Sequence, residues 1–283
     1  MSRPGNTTHL TDNTKKADSE SVDATEVRSD RGQPRPSGLE IARMPSAAER
    51  TRTLVQSTCS AVVLLPGPAV ARPEQLVPEE RSVGPDGEVF LLFPADSPVV
   101  RAATHAQDDE LAVTLEITDV APVSVPNRIR GRAWVSGWLT CVRGVAEPGR
   151  MLVRLEVGEA SVDDLWGTGS VEPEEFATAA ADPIAEHEAE LLQHLHSAHG
   201  DQVRQLCGLV GERAESGNGD GATEYSTVPV ALDRFGLRVR FSSSDRHGFD
   251  GHSFDARFDF REPVRDIIGL RRAMHQLFEA AAH

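Results

Sequence analysis

From residue 111 the chain alternates, with Leu111, Val113, Leu115 and Ile117 apolar and Thr114, Glu116 and Thr118 polar between them. A period of two puts the two sets on opposite faces of one half-buried β-strand. Similar patterns surround it. "CSAVVLLPG" from Cys59 predicts a short strand, and "RSVGPDGEVFLLF" predicts a hairpin turning at Asp86-Gly87. "RIRGRAWVSGWLTCV" and "RMLVRLEVGEASV" predict two long strands, with Gly131 and Gly137 as bulges or bends in the first. One short helix interrupts the series, with Ser97 as its N-cap and Pro98 at its first position. Five or six strands with one inserted helix predict a small barrel over residues 44–165.

The period then changes. Residues 166–182 are acidic and predict a connector carrying at most a short helix. Residues 183–212 predict one long helix, "VPVALDRFGLRVRF" two strands turning at Asp233 to Gly236, "SFDARFDF" a third, and 264–281 a last helix. The second unit, residues 183–283, therefore predicts α-β-β-β-α, with helices packed on one antiparallel sheet. The fold class is α+β. Residues 1–43 have almost no large apolar side chains and predict a disordered leader. Ser46 and Glu49 form a capping-box pattern just after Met44, a candidate true start.

Charge narrows the functional classes. The formal net charge is −15, and residues 1–43 carry equal numbers of basic and acidic side chains, so the whole excess lies on the folded part. Such a surface is unsuited to nucleic acid or anionic membrane, both of which need clustered positive charge. The two lysines, Lys15 and Lys16, both lie in the leader, so a side chain of the folded part that grips an anion is Arg or His. Cys59, Cys141 and Cys207 are odd in number and in no ligand spacing, which predicts reduced thiols. With no apolar N-terminal run and no spanning segment, the location predicted is cytoplasmic.

Two clusters are candidates for chemistry. Arg128, Arg130 and Arg132 alternate along one strand with Trp134 next, so they predict one face. Such a row suits a phosphate or carboxylate, or else it is a solvated face whose arginines pair with the surplus acids. Arg101 and Arg81 are weaker members of the same group. The second cluster is "HLHSAH". On a continuous helix only His196 and His199 are near enough to share an ion, and no acid joins them, so no metal is predicted and His199 reads as a structural, hydrogen-bonded residue. His247, Asp250, His252 and Asp255 match no defined metal spacing and predict a polar hairpin tip.

The order of strand, Asp-Gly hairpin, "DSPVVRAA" helix, alternating strand and glycine-interrupted strand resembles the FMN-binding split barrel of pyridoxamine-phosphate-oxidase-like proteins. The second unit is similar to the C-terminal domain of haem-utilisation (HugZ-like) proteins and of the plant glutamyl-tRNA-reductase-binding proteins. "HLHSAH" at 194–199, "LDRFGL" at 232–237, "FDFREPV" at 258–264 and "LRRAM" at 270–274 carry it. Together they cover about 44–282, in the manner of an actinobacterial-type member. The resemblance implies a split β-barrel followed by the α-β-β-β-α domain, a homodimer paired through the barrel, and FMN or haem as cofactor. The small planar anionic ligand so implied would be held by Arg128, Arg130, Arg132, Arg101 and Trp134. The chain departs from the family helix, with His196 for Asn and Ala198 for Asp, and its barrel has no lysine for a flavin phosphate. Two readings stay open: a flavin- or haem-linked oxidoreductase, and a non-catalytic binding or regulatory module on the same barrel.

Overall fold

A computed structural model describes residues 44–67, 72–106, 110–210, 225–243 and 253–282. The readings made for the leader, for the loop after residue 212 and for His247, Asp250 and His252 lie outside the described residues. Helix α1 (Ala47–Gln56) starts at the capping box: Glu49 N donates to Ser46 Oγ at 3.1 Å, and Ser46 N donates to Glu49 Oε2 at 2.9 Å. Strands β1 (Ser60–Leu64), β2 (Glu80–Val83), β3 (Val89–Pro94), β4 (Leu111–Val120), β5 (Ile129–Val142), β6 (Arg150–Asp164) and β7 (Gly167–Val171) form one antiparallel sheet. The order is β1-β4-β5-β6-β3-β2, with β7 paired to β6. The sheet curls strongly into a half-barrel, as in a split barrel. Its concave face buries Leu91, Phe93, Val113, Leu115, Ile117, Val135 and Leu155. Helix α2 (Pro98–Thr104) follows β3, with the Ser97 hydroxyl accepting from Val100 N.

The irregularities fall at the glycines. β4 and β5 shift register at Asp119/Val120, where Asp119 faces Gly131 and Val120 faces Ile129, leaving Arg130 as the extra residue. β5 and β6 shift at Ser136/Gly137, where Gly158 is the extra residue. A Cβ on Gly137 would lie 1.9 Å from Glu156 O, so only glycine fits there.

Two expectations need correction. Residues 166–182 are not a mere connector: they supply β7 and α3 (Pro173–Thr178), and Val171 and Phe176 are buried in the barrel core. An acidic, small-residue composition hid a strand whose pairing depends on β6, far from local preference. Nor are residues 183–212 one helix. Helix α4 (Glu188–Ala198) ends at His199, α5 (Gly200–Gln205) starts after it, and a 3-10 turn (Leu206–Val210) follows. His199, at φ −125° and ψ 22°, is outside the helical region, and Gly200 beside it is among the weakest helix formers.

The second unit pairs β8 (Tyr225–Asp233), β9 (Gly236–Ser243) and β10 (Ser253–Asp259) in the order β10-β9-β8. Helix α6 (Ile267–Ala281) closes it, starting where Asp266 accepts from Gly269 N at 2.7 Å. Leu192, Leu206, Leu237, Phe241, Phe258 and Leu270 form this second core. Ala121, Val123 and Val125, from the loop after β4, belong to it too, so the barrel inserts a loop into the second unit.

Candidate functional site

The seam between the units holds a hollow of about 120 Å³. Arg130 is at its centre. As the extra residue of the bulge it leaves the alternation of β5, and its side chain is 9% exposed. Nη2 donates to Asp119 Oδ1 at 2.7 Å and to Glu188 Oε2 at 3.0 Å, while Nη1 donates to Glu188 Oε1 at 2.6 Å and to the Val230 carbonyl at 2.9 Å. Glu188 lies in the first turn of α4, where the helix dipole favours a negative charge, and it also accepts from Leu232 N at 3.0 Å. One guanidinium thus joins β4, β5, α4 and β8. Burial works against its charge, but Glu188 and then Asp119 outweigh it and raise its pKa. Burial pushes the Glu188 carboxyl up, against the pull of Arg130.

The rest of the wall is equally committed. Arg50 binds Asp164 and the Gly167 carbonyl. Arg257 grips Asp233 with two nitrogens at 2.8 and 3.0 Å and lies 4.0 Å from the Trp166 ring centroid. Cys59 Sγ donates to Asp119 Oδ1 at 3.4 Å; burial, then the Asp119 charge, push this thiol up to about 11. It is a protonated donor at neutral pH and a poor nucleophile. Around the hollow four arginines face five carboxylates, so the wall offers an anion no excess of positive charge. At about 120 Å³ it is also smaller than the roughly 300–1,000 Å³ of pockets that enclose cofactor-sized ligands.

The arginines read from the sequence as one row do not form one. Arg130 turns into the seam, Arg128 is exposed with Nη2 on the Ala121 carbonyl at 3.0 Å, and Arg132 is exposed. Arg101 is exposed on α2 and donates to the Asp96 carbonyl. Arg81 caps α1, donating to the carbonyls of Val55 (2.7 Å) and Ser57. Trp134 is half-buried, and its Nε1 donates to Glu116 Oε2 at 3.2 Å across the β4–β5 pair.

A larger opening lies on the outer face of the same sheet. This groove, about 590 Å³, runs over Leu64, Leu65, Pro66, Ala112, Thr114, Ser136, Trp138 and Gly158. Trp138 is 48% exposed and Leu64 42%. The register shift leaves room for it: a Cβ on Gly158 would come within 2.8 Å of Trp138 Cζ3 and 3.2 Å of Cη2, so the edge of the indole rests against a residue with no side chain. Thr114 and Ser136 bond to each other at 2.9 Å in the floor, and among the described residues Glu159 is the one ionisable member of the lining. Gly137 was legible as a bulge, but its meeting with Gly158 and Trp138 was not, because the register shift that aligns these residues depends on the pairing of two separate strands.

The histidines behave differently from a continuous helix. His187 precedes α4 and His196 is exposed, but the break at His199 brings that ring to His194, with Nε2 to Nε2 at 3.2 Å. His199 is half-buried, with Nδ1 bonded to Gln202 Oε1 and its ring stacked toward Phe278 of α6 at 6.4 Å. Among the described residues no group of three or more His, Cys, Asp or Glu is arranged to hold a metal ion. No helix among them is long and apolar enough to cross a membrane.

No protein-family model matches the chain, and no curated protein matches it in sequence. Solved structures do share its shape. A heme binding protein from Mycobacterium smegmatis is 20% identical, with a TM-score of 0.53 over 85% of this chain and 99% of that one. The protein Atu2129 of unknown function from Agrobacterium tumefaciens is 14% identical with a TM-score of 0.35 over 85% of this chain and all of that one. The first likeness shows the fold: a mixed helix-and-sheet chain whose half-barrel is shared with a heme binding protein.

Proposed function

We propose that the chain is a non-catalytic binding module for a flat, largely apolar ligand of the tetrapyrrole class, held in the outer groove of the half-barrel. The observation that carries this reading is the groove itself: about 590 Å³, with a half-exposed tryptophan whose ring edge rests against a glycine. That size falls within the usual range for small-molecule sites, and an aromatic side chain in a lining with few polar groups suits a planar ring system. The fold shared with the Mycobacterium smegmatis heme binding protein supports the ligand class. A lining in which Glu159 is the one ionisable group among the described residues supports binding over turnover, which needs positioned acids and bases. Trp134 and Arg132 continue the same outer face beyond Ser136, so a ligand longer than the groove would run onto them, with its acidic edge toward Arg132. Pairing of two copies, implied by the resemblance, belongs to the same proposal: a second barrel laid over Trp138 would enclose the ligand.

The test is an absorption titration of the purified protein with haem and, separately, with flavin mononucleotide. The expected result is a shifted Soret band that survives gel filtration, weakened tenfold or more by Trp138→Ala, with the dimer assessed by sedimentation in the same samples. A stable flavin band in its place would replace the ligand class, and silence with both ligands would remove the reading.

A further inference from the structure

His194 and His199 are five positions apart, which on a continuous helix places them about 140° apart around the axis. The break at His199 cancels that separation and sets the two Nε2 atoms 3.2 Å apart. We propose that this pair is a binding site for a divalent cation of borderline softness, zinc foremost, with water completing its shell.

Three observations carry the proposal. The first is the spacing. Two nitrogens each bound to a tetrahedral zinc at about 2.0–2.1 Å lie about 3.3–3.4 Å from each other, close to the gap seen, whereas a square or octahedral right angle would bring them to about 2.9 Å. The second is the shape of the pair. The ring centroids are 4.9 Å apart with planes at 73°, closer than two head-on rings with this nitrogen gap would be, so the pair opens like a V. The third is the support behind one ligand. Gln202 Oε1 only accepts, so the His199 proton is on Nδ1 and its Nε2 carries the free lone pair. Orientation of a histidine through its other nitrogen is the usual outer support of a metal ligand. His194 need only move its proton from Nε2 to Nδ1 to offer the same. The site is open to solvent, since His194 is exposed and His199 half-buried, and Phe278 backs the His199 ring from α6. A bound ion would therefore clamp the end of α4 to the break and, through Phe278, to the last helix. The pair shares no residue with the barrel groove.

The experiment is calorimetric titration of the full chain with zinc chloride. One saturable site is expected, with affinity reduced at least tenfold by His194→Ala and by His199→Gln, the latter keeping a side chain against Phe278. Gln202→Leu should weaken binding by about tenfold through loss of the outer support. His196→Ala, on the same helix, should change nothing. Circular dichroism of each variant establishes that it is folded. The proposal is overturned if no saturable zinc site is found, if the His194 and His199 variants bind as the unaltered chain does, or if His196→Ala loses as much affinity as they do.

Discussion

The hollow at the seam and the groove on the barrel's outer face are built from the same strands, β4, β5 and β6, by opposite means. At the seam a bulge turns Arg130 inward, and four arginines and five carboxylates close around about 120 Å³. On the outer face a bulge removes a side chain at Gly158, and about 590 Å³ opens over a tryptophan with hardly a charge in sight. Charge concentrated in the smaller space holds two units together, and the terminal nitrogens of Arg130 and Arg257 are already taken up by carboxylates of the protein. Apolar surface in the larger space is left open among the described residues. Richness in titratable groups, which ordinarily draws attention to a site, here marks the joint, and the poorer lining marks the place for a ligand.

The comparison exposes Arg130 most directly. Arg130→Ala would leave Glu188 and Asp119 buried without a countercharge and remove the contact to the Val230 carbonyl. Breaking a buried pair from one side costs about 3–5 kcal/mol. Urea unfolding at neutral pH should show a loss of that order while the haem affinity of the folded fraction is unchanged. A loss below about 1 kcal/mol, or a parallel loss of ligand, would mean that the seam is not the joint we describe. Replacing Arg130, Asp119 and Glu188 together by apolar residues of similar volume should recover much of the stability, since the burden of the single change is the stranded charge.

Much of this architecture was readable along the chain. The capping box at Ser46, the Ser97-Pro98 helix start, the Asp86-Gly87 turn and the alternation of β4 all depend on residues within a few positions of one another, and each is where the pattern puts it. What escaped depends on partners distant in sequence. β7 is a strand because β6 offers it an edge, and Arg130 leaves its face because β4 is one residue short opposite it. The arginine row was therefore readable as composition and unreadable as geometry. The histidine helix failed for a local reason, a single residue outside helical φ and ψ beside a glycine, and that one break reversed which imidazoles meet.

Cys59 provides a pH test of the seam. Its folded pKa of about 11 is above the ordinary 9.0, so the folded state holds the proton more tightly. The associated stability is fully present below pH 9 and is lost as the pH rises through 11. That rise corresponds to roughly 2–3 kcal/mol, reached only at the top of that window. Unfolding free energies measured at pH 8 and pH 10.5 should converge for the unaltered chain and for Cys59→Ala, the unaltered chain falling further as pH rises. Equal falls in the two proteins would show that the thiol does not feel burial and Asp119 as described.

The smallest effect on stability belongs to the groove. Trp138 is about half exposed and rests on a glycine, so Trp138→Ala should cost about 1 kcal/mol or less, in keeping with an exposed cross-strand position. The same change should remove most of the ligand affinity. Gly158→Ala acts from the other side: its new methyl would meet the Trp138 ring at 2.8 Å and tilt it, so binding should fall while the tryptophan is still present. These two variants separate a ligand floor from a packing contact. If Trp138→Ala costs more than about 2 kcal/mol in unfolding, the ring is structural, since exposed side chains seldom contribute so much. If Gly158→Ala leaves ligand affinity intact, the seating of the ring against Gly158 is irrelevant to binding. An outcome in which Arg130→Ala breaks stability alone and Trp138→Ala breaks binding alone would assign the joint to the charged hollow and the ligand to the bare one, with neither variant able to stand in for the other.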